Sequence, residues 1–194
     1  MLITNDFEVA QPVDKVWTFF DDIPQVAACL PGTQLTDDLG DDRYLGRVTI
    51  RMGPVKLQFA GTAHIKERDN AAKRIVVDAA GADESGRGQA AALLTATLSP
   101  TRTGTKVTAT IDLQIAGAAA QYGRGMVTDV TAVLMRDFGT NAANRIDAIS
   151  RGLNPDSVAA VAPASGIGLA LRAARMALGR VLRRFFLPYE PSRV

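Results

Sequence analysis

The hydrophobic period of this chain changes once, and that change limits what it can fold into. From Tyr44 to Gly117 apolar residues recur at every second position, the period of strands. From about Gln121 to Ser150 they recur at helical spacing. The alternating region divides into five strands: Tyr44 to Met52, Val55 to Lys66, Arg74 to Gly81, Gly88 to Leu98 and Thr105 to Gly117. Gly53-Pro54, Asp69-Asn70, a polar loop from Ala82 to Arg87, and Ser99-Pro100 to Gly104 supply the turns. Each strand carries one apolar face, which suits an antiparallel sheet with a solvated back. On the helical segment Met126, Val130, Val133, Leu134 and Phe138 share a face, followed by Ile146 and Ile149, and Gly152 and Pro155 end it. Upstream, Ile3 to Ala10 reads as a strand with Ile3, Phe7 and Val9 inward. Pro12 to Asp21 and Ile23 to Leu30 read as short helices, the first packing Val13, Val16, Trp17 and Phe20. This order predicts an α+β domain in which a curved antiparallel sheet wraps a long helix.

The inward faces hold many small residues. Ala90, Ala92 and Ala96 interleave with Leu94 and Leu98, Gly61 and Ala63 share a strand face, and Ala109 does the same in the last strand. Small residues on a concave sheet leave volume beneath the helix. Either the helix sits closer, or the space holds a ligand.

Enzyme templates are missing. The single histidine, His64, falls on the polar face of its strand, where a solvated surface residue is expected. Asp37, Asp38, Asp41 and Asp42 read as a solvated turn rather than metal ligands. There is no nucleophile elbow, phosphate loop or dinucleotide fingerprint. Cys29, the one cysteine, allows no disulfide and reads as a small buried apolar residue. No metal site and no catalytic residue are expected. The chain starts on strand-like sequence without a signal peptide, so a cytoplasmic location is expected.

Residues 167–187 have a different character. On a helix, Ile167, Leu171, Ala174, Leu178, Val181, Leu182 and Phe185 form one stripe, with Arg172, Arg175, Arg180, Arg183 and Arg184 beside or opposite it and Phe186 adjoining. Spanning a bilayer would place five arginines in or near hydrocarbon, at about 2.5–3.5 kcal/mol each at the centre. Lying flat keeps them among lipid phosphates, at a gain of about 1 kcal/mol each on an anionic surface. The membrane-contacting set is therefore Leu171, Arg172, Arg175, Leu178, Leu182, Arg183, Arg184, Phe185 and Phe186. A terminal helix docked on a partner or on its own domain is the alternative. From Val158 onward six arginines face one acid, Glu190; subtracting that +5 from the chain's +2 leaves −3 for Met1 to Ser157. The basic character thus belongs to the tail and gives no argument for nucleic acid.

Gln11-Pro12-Val13-Asp14-Lys15-Val16-Trp17, Asp22-Ile23-Pro24 and Cys29-Leu30-Pro31-Gly32 resemble the opening of the START-like (SRPBCC, helix-grip) superfamily. Within it the chain resembles the CoxG family, named for the G subunit of carbon monoxide dehydrogenase. Gly53-Pro54, Phe59-Ala60-Gly61 and Gln121-Tyr122-Gly123-Arg124-Gly125-Met126 extend the likeness, over roughly Met1 to Arg151. The resemblance implies a sheet gripping a helix over a deep apolar pocket, and a role beside a molybdenum-containing CO dehydrogenase, recruiting it to the membrane or handling its respiratory quinone.

The expected organisation is a ligand-binding domain over residues 1–151, a flexible linker over 152–166, the amphipathic helix over 167–187 and a tail over 188–194. Expected cavity residues are Tyr44, Val48, Ile50, Leu57, Phe59, Ala92, Leu94, Ala96, Ala109 and Ile111 from the sheet. Tyr122, Met126, Val130, Leu134 and Phe138 join them from the helix. Tyr44, Gln121 and Tyr122 are the candidate hydrogen-bond donors. The expected function is a non-catalytic carrier, peripheral on the cytoplasmic membrane surface with its anionic lipids. It would take menaquinone or another isoprenoid quinone from the bilayer to the dehydrogenase. The alternatives are a membrane anchor for that enzyme without transport, and a START-like cyclase or hydrolase.

Overall fold

Alternation over the middle of the chain and helical spacing at its end produce the two layers seen in the computed structural model, which describes residues 1–52 and 55–157. The strands are β1 (Leu2–Val9), β2 (Thr33–Gly40), β3 (Arg43–Met52), β4 (Val55–Asp69), β5 (Arg74–Asp83), β6 (Gly88–Pro100) and β7 (Thr105–Gly117). Two short helices, α1 (Val13–Asp21) and α2 (Ile23–Cys29), follow β1. A 3-10 turn over Ala118–Tyr122 leads into α3 (Gly123–Ser150). All seven strands form one antiparallel sheet in the order β1-β7-β6-β5-β4-β3-β2. The sheet curves around α3, with α1 and α2 covering one end. The Gly53-Pro54 turn, residues 158–166 of the linker, the amphipathic helix and the tail lie outside the described residues.

The sheet has one strand more than the sequence predicts. Thr33 and Leu35 alternate inward at the start of β2, but its second half is Asp37, Asp38 and exposed Leu39. Register shifts break its pairing with β3 between Leu35 and Asp37 and between Asp38 and Gly40. A short, irregular, acidic edge strand resists pairing with other chains, and its composition imitates a loop. Only Asp41 and Asp42 form the turn expected over the whole aspartate run, both in the left-handed region. α2 begins as its sequence dictates: Asp22 Oδ1 accepts from the Gln25 N–H at 3.1 Å, with Pro24 in the first turn.

One half of the space between sheet and helices is filled. Val9, Val16, Trp17, Phe19, Phe20, Ile65, Ile75, Ala96, Leu98, Val107, Phe138 and Ile146 form a continuous buried cluster. The Phe138 ring meets Phe7 edge-on at 5.7 Å and Phe20 at 6.3 Å. α3 is tied down at this end. Asn141 Nδ2 donates to the Cys29 carbonyl at 2.9 Å, and the buried Arg145 guanidinium donates to Gln25 Oε1 at 2.5 Å and to Asp156 Oδ1 at 2.9 Å. The second contact fixes a 3-10 turn over Pro155–Ser157 against α3, so the first residues of the expected flexible linker are held to the domain. Ile149, expected inward, is 47% exposed, because the stripe has drifted off the core by the last turn.

Gly139 sits where α3 crosses β1. A Cβ there would stand 2.7 Å from Phe7 Cγ and 3.0 Å from Phe7 Cβ, the root of the ring rather than a flexible end. Gly125, in the first turn of the same helix, has nothing within 4 Å of such a Cβ. Alanine gains roughly 1 kcal/mol of helix propensity at either site, while overpacking costs about 1–3 kcal/mol. Gly139→Ala should therefore lower the unfolding free energy by about 1 kcal/mol and Gly125→Ala should raise it by about 0.5–1 kcal/mol. Urea denaturation midpoints of the two variants check the opposite signs.

Candidate functional site

Beyond the filled half, α3 stands off the sheet. Gly46, Gly61, Gly81 and Ala90 lie in one row across β3, β4, β5 and β6, each paired with the next. The adjacent row is Tyr44, Ala63, Ala79 and Ala92. Strands come close enough here that a Cβ on Gly61 would lie 2.0 Å from the Ala80 carbonyl oxygen. Apart from Tyr44, neither row sends much side chain into the concave face. A cavity of about 290 Å³ fills the gap. Leu35, Val48, Ile50, Leu57, Phe59, Leu113 and Ile115 wall it from the sheet, and Ala119, Val127, Val130, Thr131 and Leu134 from the helix side. The space anticipated from small inward residues is therefore present, and the helix does not close it.

The sequence-derived set splits between the two halves. Tyr44, Val48, Ile50, Leu57, Phe59, Ala92, Val130 and Leu134 line the cavity. Ala96 and Phe138 belong instead to the filled core; Ala109 and Ile111 are buried and Leu94 half-buried, all three outside the lining. The reason is that aromatic residues from β1 and α1 occupy that end of the concave face, and alternation does not say where along a strand the filling stops. Met126 is 44% exposed. The helix phase that places Val127, Val130, Thr131 and Leu134 inward turns Met126 off the cavity. Tyr122 is half-buried against the Leu57–Ala119 cluster at the cavity's edge, and Gln121 is exposed. Thr33 and Leu35 were missed with β2. The i, i+4, i+7 series Val127, Thr131, Leu134 was the signal for the correct helix face.

Few polar atoms enter the lining, and most are taken. Thr131 Oγ1 donates to the Val127 carbonyl at 2.9 Å, and Arg47 Nε donates to Glu84 Oε1 at 2.9 Å. Burial pushes the Tyr44 phenol up, Asp38 and Asp42 add to this, and Arg68 opposes it. The charged groups beside β2 and β4 thus act on the Tyr44 hydroxyl. Thr33, a lining residue, is the exception: its Oγ1 is buried without a hydrogen-bond partner among the described residues. Among those residues no carboxylate, histidine or thiol lines the cavity, and no group of three His, Cys, Asp or Glu is placed to hold a metal. His64 is half-buried on β4 opposite Arg43 and Asp78. Cys29 is fully buried, its Sγ donates to the Gln25 carbonyl at 3.3 Å, and burial pushes the thiol up to about 12, partly offset by Arg145.

The far end of the cavity is held by Asp83, the buried last residue of β5. Its carboxylate accepts from Arg87 Nε at 3.0 Å, Arg87 Nη2 at 3.2 Å and the Gln58 N–H at 3.0 Å. Arg87 Nη2 also donates to the Lys56 carbonyl at 2.7 Å, clasping the β5–β6 loop to β4.

A curved antiparallel sheet gripping a long C-terminal helix over an apolar cavity is the START-like (SRPBCC, helix-grip) architecture, a class of ligand-binding folds. Solved structures with the same fold include a conserved protein from Geobacillus kaustophilus, 21% identical with a TM-score of 0.68 over 76% of this chain and 95% of that one. TTHA0849 from Thermus thermophilus is 15% identical with a TM-score of 0.56 over 77% and 99%. The Zhui aromatase/cyclase from Streptomyces sp. R1128 is 13% identical with a TM-score of 0.57 over 78% and 96%. No curated protein matches the chain by sequence. The chain belongs to the CoxG family, that of the carbon monoxide dehydrogenase G subunit, which it matches over residues 6–147. No helix among the described residues is long and apolar enough to cross a membrane.

The Asp83 clasp has a pH signature. The Arg87 guanidinium, then the Gln58 N–H, hold the carboxyl at about 2 instead of the ordinary 3.8. A group depressed on folding stabilises above its unfolded value and loses that contribution as pH falls through its folded value. The stability difference between the natural chain and Asp83→Asn should be full at neutral pH, shrink below pH 3.8 and vanish towards pH 2. Denaturant unfolding across that range measures it.

Proposed function

We propose that this chain is a non-catalytic carrier that takes menaquinone, or a similar isoprenoid quinone, from the cytoplasmic membrane surface. It presents that quinone to the molybdenum-containing CO dehydrogenase as electron acceptor. The observation that carries the proposal is an apolar cavity with one buried, unpartnered hydroxyl, Thr33 Oγ1. A quinone ring needs apolar walls and a donor for a carbonyl oxygen, and Thr33 can donate one hydrogen bond without breaking another. The cavity's about 290 Å³ lies at the lower end of small-molecule sites. It suits an aromatic head whose isoprenoid chain runs out along the lining. Catalysis by a START-like cyclase or hydrolase would need a base or nucleophile in the cavity, and the described lining offers none. The family takes its name from CO dehydrogenase, which supports that enzyme as the recipient. The basic amphipathic sequence of residues 167–187 supplies the membrane contact in this reading.

An organic extract of the purified full chain, analysed by ultraviolet absorbance and mass spectrometry, should contain near-stoichiometric isoprenoid quinone. An empty extract from protein that still binds vesicles and CO dehydrogenase would leave a membrane anchor as the function. Two phenylalanine substitutions separate cavity from core. Ala92→Phe should fold with stability changed by less than about 1 kcal/mol, because its ring enters open volume, and should abolish quinone binding. Ala96→Phe should cost more than about 1–3 kcal/mol, because it enters filled core. Thr33→Val should keep the fold and weaken quinone binding about 5–10-fold, the value of one neutral hydrogen bond.

A further inference from the structure

The turns of the sheet define two ends with opposite charge. At the end covered by α1 and α2 lie Asp14, Asp21, Asp22, Asp41 and Asp42, partly neutralised by Arg68 and Lys73. At the other end lie the β3–β4 hairpin, the β5–β6 loop and the first turn of α3. There Arg51 and Lys56 stand directly opposite each other in the β3–β4 ladder, both exposed. Like charges in that position repel, and neither residue has an ion pair among the described residues, nor does exposed Arg124 in the first turn of α3. Arg87 of the same end is spent on Asp83. A domain with a net charge of −3 over Met1 to Ser157 therefore carries at one end an opposed cation pair, Arg51 and Lys56, and a further unpaired cation, Arg124, on the β1–β7 side.

The cavity lining also reaches that end. The aromatic core closes the α1–α2 end, whereas Ile50, Leu57, Ala119 and Val127 carry the lining to the last residues before the β3–β4 turn and to the start of α3. Met126 adjoins it, 44% exposed and on the Val130 side of the helix rather than the β1–β7 side. Resting on the carrier reading above, we propose that this end, with Arg51, Lys56, Arg124 and Met126, is a second membrane contact. It docks on anionic lipid headgroups, so that the cavity opens towards the bilayer. Arg51 and Lys56, opposed to each other and with no acid partner among the described residues, call for an external anion, and the exposed Met126 thioether at the same end suits the headgroup–acyl boundary.

The test uses the full chain and vesicles of phosphatidylcholine with or without phosphatidylglycerol. Cys29 is buried and its thiol protonated, so Met126→Cys and, at the acidic end, Leu39→Cys can each be labelled alone with bimane. Spin-labelled phosphatidylcholine should quench the label at position 126 and leave that at 39 bright. Arg51→Glu with Lys56→Glu should weaken binding to phosphatidylglycerol vesicles and slow menaquinone pick-up from them by at least about tenfold, while Lys15→Glu with Arg102→Glu at the acidic end changes either by less than about twofold. Binding of chain-free menadione in solution should be the same in all variants, which shows that the folds are intact. Equal effects of the two charge pairs, or quenching at 39 but not 126, overturn the surface. So does unchanged vesicle binding with lost quinone delivery to CO dehydrogenase, which would make this end a protein contact. If the natural chain shows the quenching pattern yet takes up no menaquinone, the carrier reading falls and the lipid-facing end stands.

Discussion

The structure depends on α3 being held at one end only. Phe138 is wedged between Phe7 and Phe20, Gly139 lets the helix settle onto the root of Phe7, and Asn141 and Arg145 bind it to α2. These contacts fall in the second half of the helix. With that half fixed against a strongly curved sheet, the first half has to ride above the concave face. The glycine and alanine rows beneath it do not reach up to meet it. Close packing is the rule in protein interiors, and an unfilled apolar space under a rigid helix persists because neither layer can relax independently.

The cavity's chemistry follows from the same arrangement. Charged side chains lie on the outer face of each strand or at the ends of the sheet, where they pair as Arg47 with Glu84, Lys66 with Asp78 and Arg87 with Asp83. The inner face is left to aliphatic and small residues. A ligand there would meet mainly dispersion contacts, with few polar groups in the described lining. Such a site selects for shape and hydrophobicity.

Most of the fold was legible because period is a local property. Alternation over Thr105 to Gly117 and helical spacing after Gln121 require no knowledge of neighbours. What was not legible depended on them. β2 alternates for only three residues before its aspartates, and its strand state comes from pairing with β3. The limit of the cavity was hidden for a similar reason: Ala92 and Ala96 occupy equivalent positions in one alternating strand, yet only the second lies beneath the aromatic wedge from β1 and α1. On the helix, Met126 and Val127 are equally apolar neighbours, and a phase difference of 100° separates solvent from cavity. The unpartnered state of the Thr33 hydroxyl gave no sign in the sequence, since it depends on what surrounds the residue in the fold.

The ion pair between Arg145 and Asp156 fixes the last described turn, Pro155–Ser157, beside the second half of α3. Arg145 comes 22 residues after Gly123, roughly 33 Å along the helix axis at 1.5 Å per residue. Residues 158–166, even fully extended, reach about 30 Å. That upper bound on their reach is about the distance from Asp156 back to the basic end. If both the amphipathic segment and the cavity end were to rest on one bilayer, that limit would require α3 to incline from the membrane normal. The leash would then work as a goniometer, restricting the tilt at which the cavity meets the lipid.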